Sequence, residues 1–205
     1  MKTKYNGKQR SKDFNKLSIN SLIKDLGELH NRNKGSAIIL DSETLLTRHN
    51  LLKAGFKKQN IHIPNPYKHH EIKRKHNNTY KTLLGSYLEH EKNNNNLKPI
   101  TLAFFDYCSS ITGNTTTGIY PKNDIKSYFK YHYPSNDSIF AITISLRTNK
   151  QSVGVCEDLN LLDSVITMSA YKNQYCAYKL PHGYGYNGMA WVIYRIFKIW
   201  CSFFY

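Results

Sequence analysis

The sequence predicts an α/β domain built on a single doubly wound sheet, mostly parallel, with helices on both faces and an antiparallel hairpin strand at the carboxyl end. Two observations support this prediction. Short apolar runs of strand length alternate with amphipathic stretches of helical period along the chain. The most informative run, residues 102–105, stops at Asp106 before small polar residues, as expected of a buried parallel strand that ends at a ligand-binding edge.

Composition and charge predict one domain with an anionic partner. Of the 205 residues, 40% are hydrophobic and 13% aromatic, which is enough to fill one sizeable core. Lys and Arg number 29 against 14 Asp and Glu, which gives a formal net charge of +15. Cations that neutralise phosphates release condensed counterions, so nucleic acid is the expected partner. A merely basic surface is the alternative.

The cysteines and the two chain ends indicate an intracellular protein. The four cysteines lie far apart without a Cys-x-x-Cys pair, which favours neither a structural zinc site nor a disulfide framework. The basic first ten residues precede no apolar core, so no secretory signal is expected. Residues 189–205 are strongly apolar but are interrupted by Arg195 and Lys198. We expect no membrane anchor, and a cytoplasmic or nuclear location.

The amino-terminal part predicts an arm, a helix and a first strand–helix unit. Residues 1–16 are basic and lack an apolar period, so we expect a flexible arm before a domain over residues 17–205. From residue 17 to residue 29, apolar side chains recur at helical spacing. Residues 37–40 predict a short buried strand, and the helix after it ends near residue 56 with Gly55 as its carboxyl-terminal cap.

The central part predicts two further strands and a helix. Residues 60–65 favour a second strand that prolines cut off, because proline cannot donate to a sheet ladder. The Lys- and His-rich residues 67–78 favour a loop or a frayed helix. Residues 78–82 then predict a short third strand and residues 83–89 a helix. The asparagines at 93–96 indicate a linker.

The remaining elements follow the same alternation. Residues 100–106 form the fourth strand, and the polar loop 109–120 after it is where ligand contacts are expected. A helix begins at Pro121 and runs to residue 130, with Asp124 in its first turn. The last predicted elements are a strand at 139–146, a helix at 159–171, and an antiparallel hairpin of residues 175–180 and 189–197 around the Gly-rich turn 181–188.

This order and spacing resemble the Rossmann-like class I methyltransferases that use S-adenosylmethionine, in particular divergent members from large DNA viruses. The resemblance covers residues 36–197, in which residues 37–56 are similar to the first motif of the family and residues 102–110 to its fourth strand region. It implies a Rossmann-like domain that binds S-adenosylmethionine and transfers a methyl group, with nucleic acid as the expected target. The acceptor atom stays undetermined.

The resemblance also implies a set of cofactor residues. Asp41 and Glu43 would contact the amino-acid moiety or organise the loop that does, and Thr47 belongs to the same segment. Asn65 stands where the family usually has an acidic residue for the ribose hydroxyls, and the backbone near Thr82 would border the adenine. Residues 41–47 contain no glycine, whereas the family has a glycine-rich turn there.

Asp106 and Tyr107 occupy the position that binds the methyl acceptor in the family. The resemblance implies that Asp106 accepts hydrogen bonds from a target amine and that Tyr107 stacks on the base. Short polar side chains after strands also cap the next helix, so capping is the alternative role for Asp41 and Asp106.

Two further interpretations stay open. Asp41 and Glu43 after an apolar strand are also typical of Mg²⁺-dependent phosphatases and nucleases, for which Asp106, Asp158 and Asp163 are candidate further ligands. The other is a catalytically inactive module of the same fold that binds nucleic acid or a protein partner. Neither interpretation needs S-adenosylmethionine.

A basic segment supplies the candidate nucleic-acid contacts. With Tyr67 and Tyr80 nearby as stacking surfaces, the cations expected to meet phosphates are Lys57, Lys58, Lys68, Lys73, Arg74 and Lys75. A solvated run of charge is the alternative explanation. The histidines of this segment are irregularly spaced, so no metal site is predicted from them.

Overall fold

The computed structural model describes residues 9–94, 99–107, 109–113, 118–131, 134–146, 152–180, 183–185 and 189–199. Strands and helices alternate within these ranges. The strands are β1 (Ser36–Ile39), β2 (Ile61–Pro64), β3 (Thr79–Tyr80), β4 (Ile100–Asp106), β5 (Pro134–Ser145), β6 (Tyr175–Lys179), β7 (Gly183–Gly185) and β8 (Met189–Lys198). The helices are α1 (Gln9–Glu28), α2 (Leu46–Lys53), α3 (His69–Lys73), α4 (Leu84–Asn94), α5 (Pro121–Lys130) and α6 (Ser152–Lys172).

The strands form one mixed sheet in the order β3-β2-β1-β4-β5-β8-β6, with β7 also paired to β8. The pairs from β3 through β5 are parallel, whereas β8 runs antiparallel to β5, β6 and β7. The order reverses between β1 and β4, and the crevice outside the carboxyl ends of such a strand pair is the usual ligand site of an open α/β sheet. The predicted fold class is confirmed.

Helices cover both faces of the sheet. On one face, α1, α2 and α3 bury Ile23, Leu51 and Ile72 against the strands. On the other face, α4, α5 and α6 cover a core rich in aromatic rings. The aromatic pairs in contact there have ring centroids 5.1 to 5.9 Å apart, and their members are Phe105, Tyr128, Phe129 and Phe140. Burial of these large side chains supplies much of the hydrophobic stabilisation on this face.

Several elements are longer than predicted. α1 begins at Gln9, so residues 9–16 of the predicted arm are helical. β5 begins at Pro134, because polar residues in its first part also pair with β8. Asp137, for example, pairs with Phe197. α6 begins at Ser152, ahead of the predicted start at 159, although Gly154 weakens the local helical signal. The structure bounds β4 and α5 as predicted.

Some predictions fall on residues outside the described ranges. They concern residues 1–8 of the arm, 95–96 of the asparagine linker, 114–117 of the polar loop, most of the turn 181–188, and the last residues 200–205. In the described part of the chain, no helix is long and apolar enough to cross a membrane.

An ion cluster ties the turn after α1 to the sheet. Arg32 is 3% exposed and donates to both carboxylate oxygens of Asp137, at 3.0 and 3.1 Å. Arg195 of β8 donates to the same two oxygens at 2.9 and 3.1 Å. Burial acts to raise the pKa of Asp137, but the hydrogen bonds from the two arginines outweigh it and hold that pKa below its ordinary value. The cluster fixes α1 over β5 and β8.

A buried histidine joins β2, β3 and α4. His62 Nδ1 lies 2.9 Å from the hydroxyl of Tyr87 and 3.3 Å from that of Tyr80. Burial, with a smaller contribution from the charge of His76, lowers the pKa of His62 to about 4. The ring is therefore neutral in the folded protein at physiological pH.

The shifted pKa of His62 predicts a pH-dependent stability. Because the folded pKa lies below the unfolded value near 6.5, His62 contributes stability that is present above pH 6.5 and is lost as the pH falls toward 4. The free energy of unfolding of the wild type should fall by about 2 kcal/mol more than that of His62→Gln between pH 7 and pH 5. Urea unfolding at several pH values measures this.

A matched control is His49→Gln, because the side chain of His49 is exposed on α2. This control should keep the pH slope of the wild type. If His62→Gln and the wild type show parallel pH profiles, His62 is not the group responsible.

Candidate functional site

A cleft of about 390 Å³ opens at the carboxyl edge of the sheet where the strand order reverses. Its wall comes from the ends of β1, β2 and β4, the start of α4, and residues around α5. Six of the residues predicted from the sequence lie in this wall: Asp41, Glu43, Asn65, Lys68, Asp106 and Tyr107. The structure therefore brings together side chains that lie up to 66 positions apart in the sequence.

Asp41 caps the helix that follows β1. It is 4% exposed, and its carboxylate accepts hydrogen bonds from the backbone N–H of Ser42 at 3.0 Å and of Arg48 at 2.8 Å. Arg48 is the third residue of α2, so the second bond satisfies an amide that has no partner inside the helix. The structure thus shows Asp41 in the capping role that the sequence left as its alternative.

The loop between β1 and α2 turns without glycine. Leu45 adopts the left-handed conformation, with φ 54° and ψ 36°, immediately before α2. Its N–H donates to the carbonyl of Ser42 at 3.0 Å, and its side chain is buried. A left-handed conformation costs a residue with a side chain about 1 kcal/mol. Burial of the leucine offsets this cost, so the fold keeps a tight turn that a glycine would otherwise provide.

Asn65 links the ends of β1 and β2 across the cleft. Its amide nitrogen donates to the carbonyl of Asp41 at 3.0 Å. Its amide oxygen accepts from the backbone N–H of Tyr67 at 3.0 Å and of Lys68 at 2.8 Å. A carboxylate at this position would lack the donor that the carbonyl of Asp41 requires. These contacts use both the donor and the acceptor of the Asn65 amide.

At the end of β4, two successive side chains point to opposite faces of the sheet. Asp106 is half-buried and lines the cleft. Tyr107 is 4% exposed and packs edge-on against Phe105 in the core, with ring centroids 6.3 Å apart. The expectation that Tyr107 stacks on an acceptor base is corrected, because its ring is enclosed by protein.

Asp124 is a cleft residue whose position the sequence did not reveal. Its carboxylate accepts from the hydroxyl of Tyr107 at 2.7 Å and from the backbone N–H of Gly85 at 3.2 Å. Burial raises the pKa of Asp124, although both hydrogen bonds act in the opposite direction. An acidic residue in a first helical turn is common, so this position carries no signal by itself. The carboxylate ties β4, α4 and α5 together behind the cleft.

Two predicted cofactor residues lie outside the wall of the cleft. Thr47 is fully buried in α2. Thr82 is half-buried, and its N–H donates to the carbonyl of Tyr80 at 2.9 Å. Leu83 and Leu84, which follow Thr82, contribute to the wall.

The predicted phosphate-binding cations are all exposed but lie on two edges of the sheet. Lys57 and Lys58 come just before β2 and so lie at the amino edge, opposite the cleft. Lys68 lines the cleft, and Lys75 donates to the backbone carbonyl of Glu43 at its rim, at 2.9 Å. Lys73 ends α3, and Arg74 follows it.

The carboxylates that a phosphatase or nuclease centre would require lie in two places: Asp41, Glu43 and Asp106 line the cleft, whereas Asp158 and Asp163 do not. Asp158 and Asp163 lie in α6, and Asp163 bonds to Lys179 and Tyr194. In the part of the chain that the structure describes, no group of three or more His, Cys, Asp and Glu side chains is arranged to hold a metal ion.

The fold is the methyltransferase-like α/β fold. The chain is similar to the fibrillarin pre-rRNA processing protein of Methanococcus jannaschii, with a TM-score of 0.54 and 8% identity over 81% of this chain and 67% of that one. It is also similar to a putative RNA methyltransferase from Pyrococcus horikoshii, with a TM-score of 0.54 and 10% identity over 89% and 85% of the two chains. At these identities the similarity concerns the fold alone.

Comparison at the level of sequence adds no closer relative. No protein-family model matches the chain. No curated protein matches it either.

The contact between Tyr107 and Asp124 predicts a measurable coupling. Tyr107→Phe should lower the free energy of unfolding by about 1 to 3 kcal/mol, because it leaves a partly buried carboxylate short of a donor. In a double-mutant cycle with Asp124→Ala, the two effects should fall short of additivity by at least about 0.5 kcal/mol. Urea unfolding of the four proteins measures the coupling.

Tyr171→Phe is the matched control, because it also removes a tyrosine hydroxyl, but from a residue that is 72% exposed on α6. This control should change stability by less than about 0.5 kcal/mol. Strict additivity in the cycle would contradict the assigned hydrogen bond.

Proposed function

We propose that this protein is an S-adenosylmethionine-dependent methyltransferase that acts on nucleic acid. The observation that carries the proposal is the cleft at the strand-order reversal, where Asp41, Asn65 and Asp106 from three parallel strands meet in a methyltransferase-like fold. Ligands of open α/β sheets bind in this crevice. The cleft volume of about 390 Å³ falls in the range of small-molecule sites.

The residues of the cleft fit the chemistry of S-adenosylmethionine. Leu83, Leu84 and Ile119 offer an apolar wall for a purine. Glu43 is exposed at the rim and offers a carboxylate for the ammonium group of the amino-acid moiety. Asn65 offers the second hydrogen of its amide nitrogen to a ribose hydroxyl, since only one hydrogen is needed by the carbonyl of Asp41.

Asp106 is the residue proposed for the methyl acceptor. When bound, S-adenosylmethionine supplies the methyl carbon: an acceptor nitrogen bonds to it as the carbon–sulfur bond breaks, the bonding pair goes to sulfur, and the nitrogen loses one proton. Asp106 accepts a hydrogen bond from the acceptor amine, which orients the nitrogen lone pair, and receives the released proton. Tyr107 and Asp124 support the end of β4 from behind.

Nucleic acid as the substrate rests on charge. The net charge of +15 favours a polyanion, and Lys68 and Lys75 lie on the rim of the cleft. Binding of nucleic acid without catalysis is the second candidate function. It is favoured by Asp41, whose carboxylate is occupied by backbone amides rather than presented to a ligand.

The first test measures cofactor binding and methyl transfer separately. Calorimetry should detect binding of S-adenosylmethionine, and a tritium-transfer assay on RNA and DNA oligonucleotides should detect methylation. Asp106→Ala should lower the transfer rate by about 100-fold or more, because it removes the group that orients the amine and receives its proton. The dissociation constant for S-adenosylmethionine should change less than about threefold, well under one kcal/mol.

Asp25→Ala is the control, because Asp25 is an exposed carboxylate on α1 outside the cleft. Absence of binding heat at millimolar S-adenosylmethionine would rule out the methyltransferase and leave the binding module. An equal loss of affinity and transfer in Asp106→Ala would make Asp106 a cofactor ligand or a structural cap instead.

The second test uses salt. Affinity for a single-stranded oligonucleotide should fall steeply with salt concentration, and Lys68→Ala should reduce the log–log slope by roughly 0.7 to 1, since it removes one phosphate contact. Lys57→Ala is the matched control at the opposite edge of the sheet and should keep the slope. A flat salt response of the wild type would count against nucleic-acid binding.

A further inference from the structure

A row of side chains crosses the sheet from the cleft toward β8. Asp106 of β4 pairs with Thr143 of β5, and Thr143 pairs with Trp191 of β8. Side chains at paired positions lie on the same face of a sheet. Neighbouring strands are about 4.8 Å apart, so the backbones of Asp106 and Trp191 are separated by about 10 Å.

The row lies next to the core under α1, α2 and α3, on the side of the carboxyl edge of the sheet. Phe104, Ala141 and Ile193 are paired with one another in the same way, and all three are fully buried under α1, α2 and α3. Each lies two positions from a member of the row, so it shares the same face. Two residues nearer the carboxyl edge, the buried apolar layer of the sheet therefore gives way to half-buried side chains that can bind a ligand.

Each member of the row offers a different contact. Asp106 offers a carboxylate at the cleft. Thr143 has a buried hydroxyl oxygen with no hydrogen-bond partner among the described residues. Trp191 packs partly against the core and is half-buried, and on its other side it pairs with Gly183, which has no side chain. A carboxylate, a hydroxyl and an indole along about 10 Å match a planar heterocycle with an exocyclic amine.

We infer that Asp106, Thr143 and Trp191 form the docking site for the acceptor, an unpaired amino-bearing nucleobase that stacks on Trp191. This inference deepens the proposed function, on which its methyl-transfer part rests. Trp191 supplies the stacking surface that the buried Tyr107 does not. The base must be unpaired, because in a duplex its amino group is paired and its ring is enclosed by neighbouring bases.

Tryptophan fluorescence tests the site without requiring catalysis. The sequence holds only two tryptophans, Trp191 and Trp200, so Trp200→Phe leaves Trp191 as the sole indole. Titration with an adenine decanucleotide should quench this fluorescence to saturation. A decanucleotide with abasic sites should leave it nearly unchanged, because stacking requires the base.

Kinetics with variants of the full chain test the same site in the reaction. Trp191→Ala should raise KM for the oligonucleotide by about 5- to 150-fold, the equivalent of 1 to 3 kcal/mol of base stacking. Trp191→Phe should restore most of that loss, and the fluorescence titration with Trp200→Phe keeps the inference falsifiable if the alanine variant does not fold. Tyr178→Ala is the matched control, since Tyr178 is a 64% exposed aromatic on β6 outside the row, and it should leave KM unchanged.

The outcomes separate the inference from the proposed function. Methyl transfer with an unchanged KM in Trp191→Ala and Trp191→Phe would overturn the docking site and leave the methyltransferase intact. Base-dependent quenching of Trp191 without binding of S-adenosylmethionine would support the docking site and reject the methyltransferase. Equal quenching by the adenine and abasic oligonucleotides would overturn the docking site.

Discussion

The parallel pairing of β1 with β4 is the interaction on which the candidate site depends. Ile39 pairs with Phe104, and the N–H of Leu40 donates to the carbonyl of Phe104 at 3.0 Å. This register brings Asp41 and Asp106 to the same edge of the sheet. Because α2 leaves β1 toward one face and α5 follows β4 on the other, the two connections diverge and leave the cleft between them.

Because β4 is pleated, the last side chains of the strand face opposite sides of the sheet and have different roles. Asp106 faces the side covered by α1 to α3, where the cleft and the row toward Trp191 lie. Tyr107 faces the other core and bonds to Asp124, which also accepts from Gly85 of α4. The alternation of side chains along a strand thus puts the proposed acceptor chemistry on one face and its rigid support on the other.

The turn after β1 shows how a fold keeps its geometry when the expected residue is missing. Leu45 holds a left-handed conformation, Asp41 caps α2, and Asn65 bridges to the carbonyl of Asp41. The last two contacts occupy the carboxylate of Asp41 and one amide hydrogen of Asn65. The same contacts support the rim of the cleft and reduce the number of polar groups left for a cofactor, so direct measurement of cofactor binding is the decisive test of function.

The sequence by itself determined the alternation of strands and helices, the limits of β4 and α5, and the side chains that end β1, β2 and β4. These features follow from hydrophobic period, proline position and polarity at strand ends, which are all properties of neighbouring residues. Only the tertiary structure decided that Tyr107 is buried, that Asp124 stands in the cleft, and that Trp191 shares a row with Asp106. Those facts depend on strand register and on contacts between distant segments, and no local pattern encodes which face or partner a side chain receives.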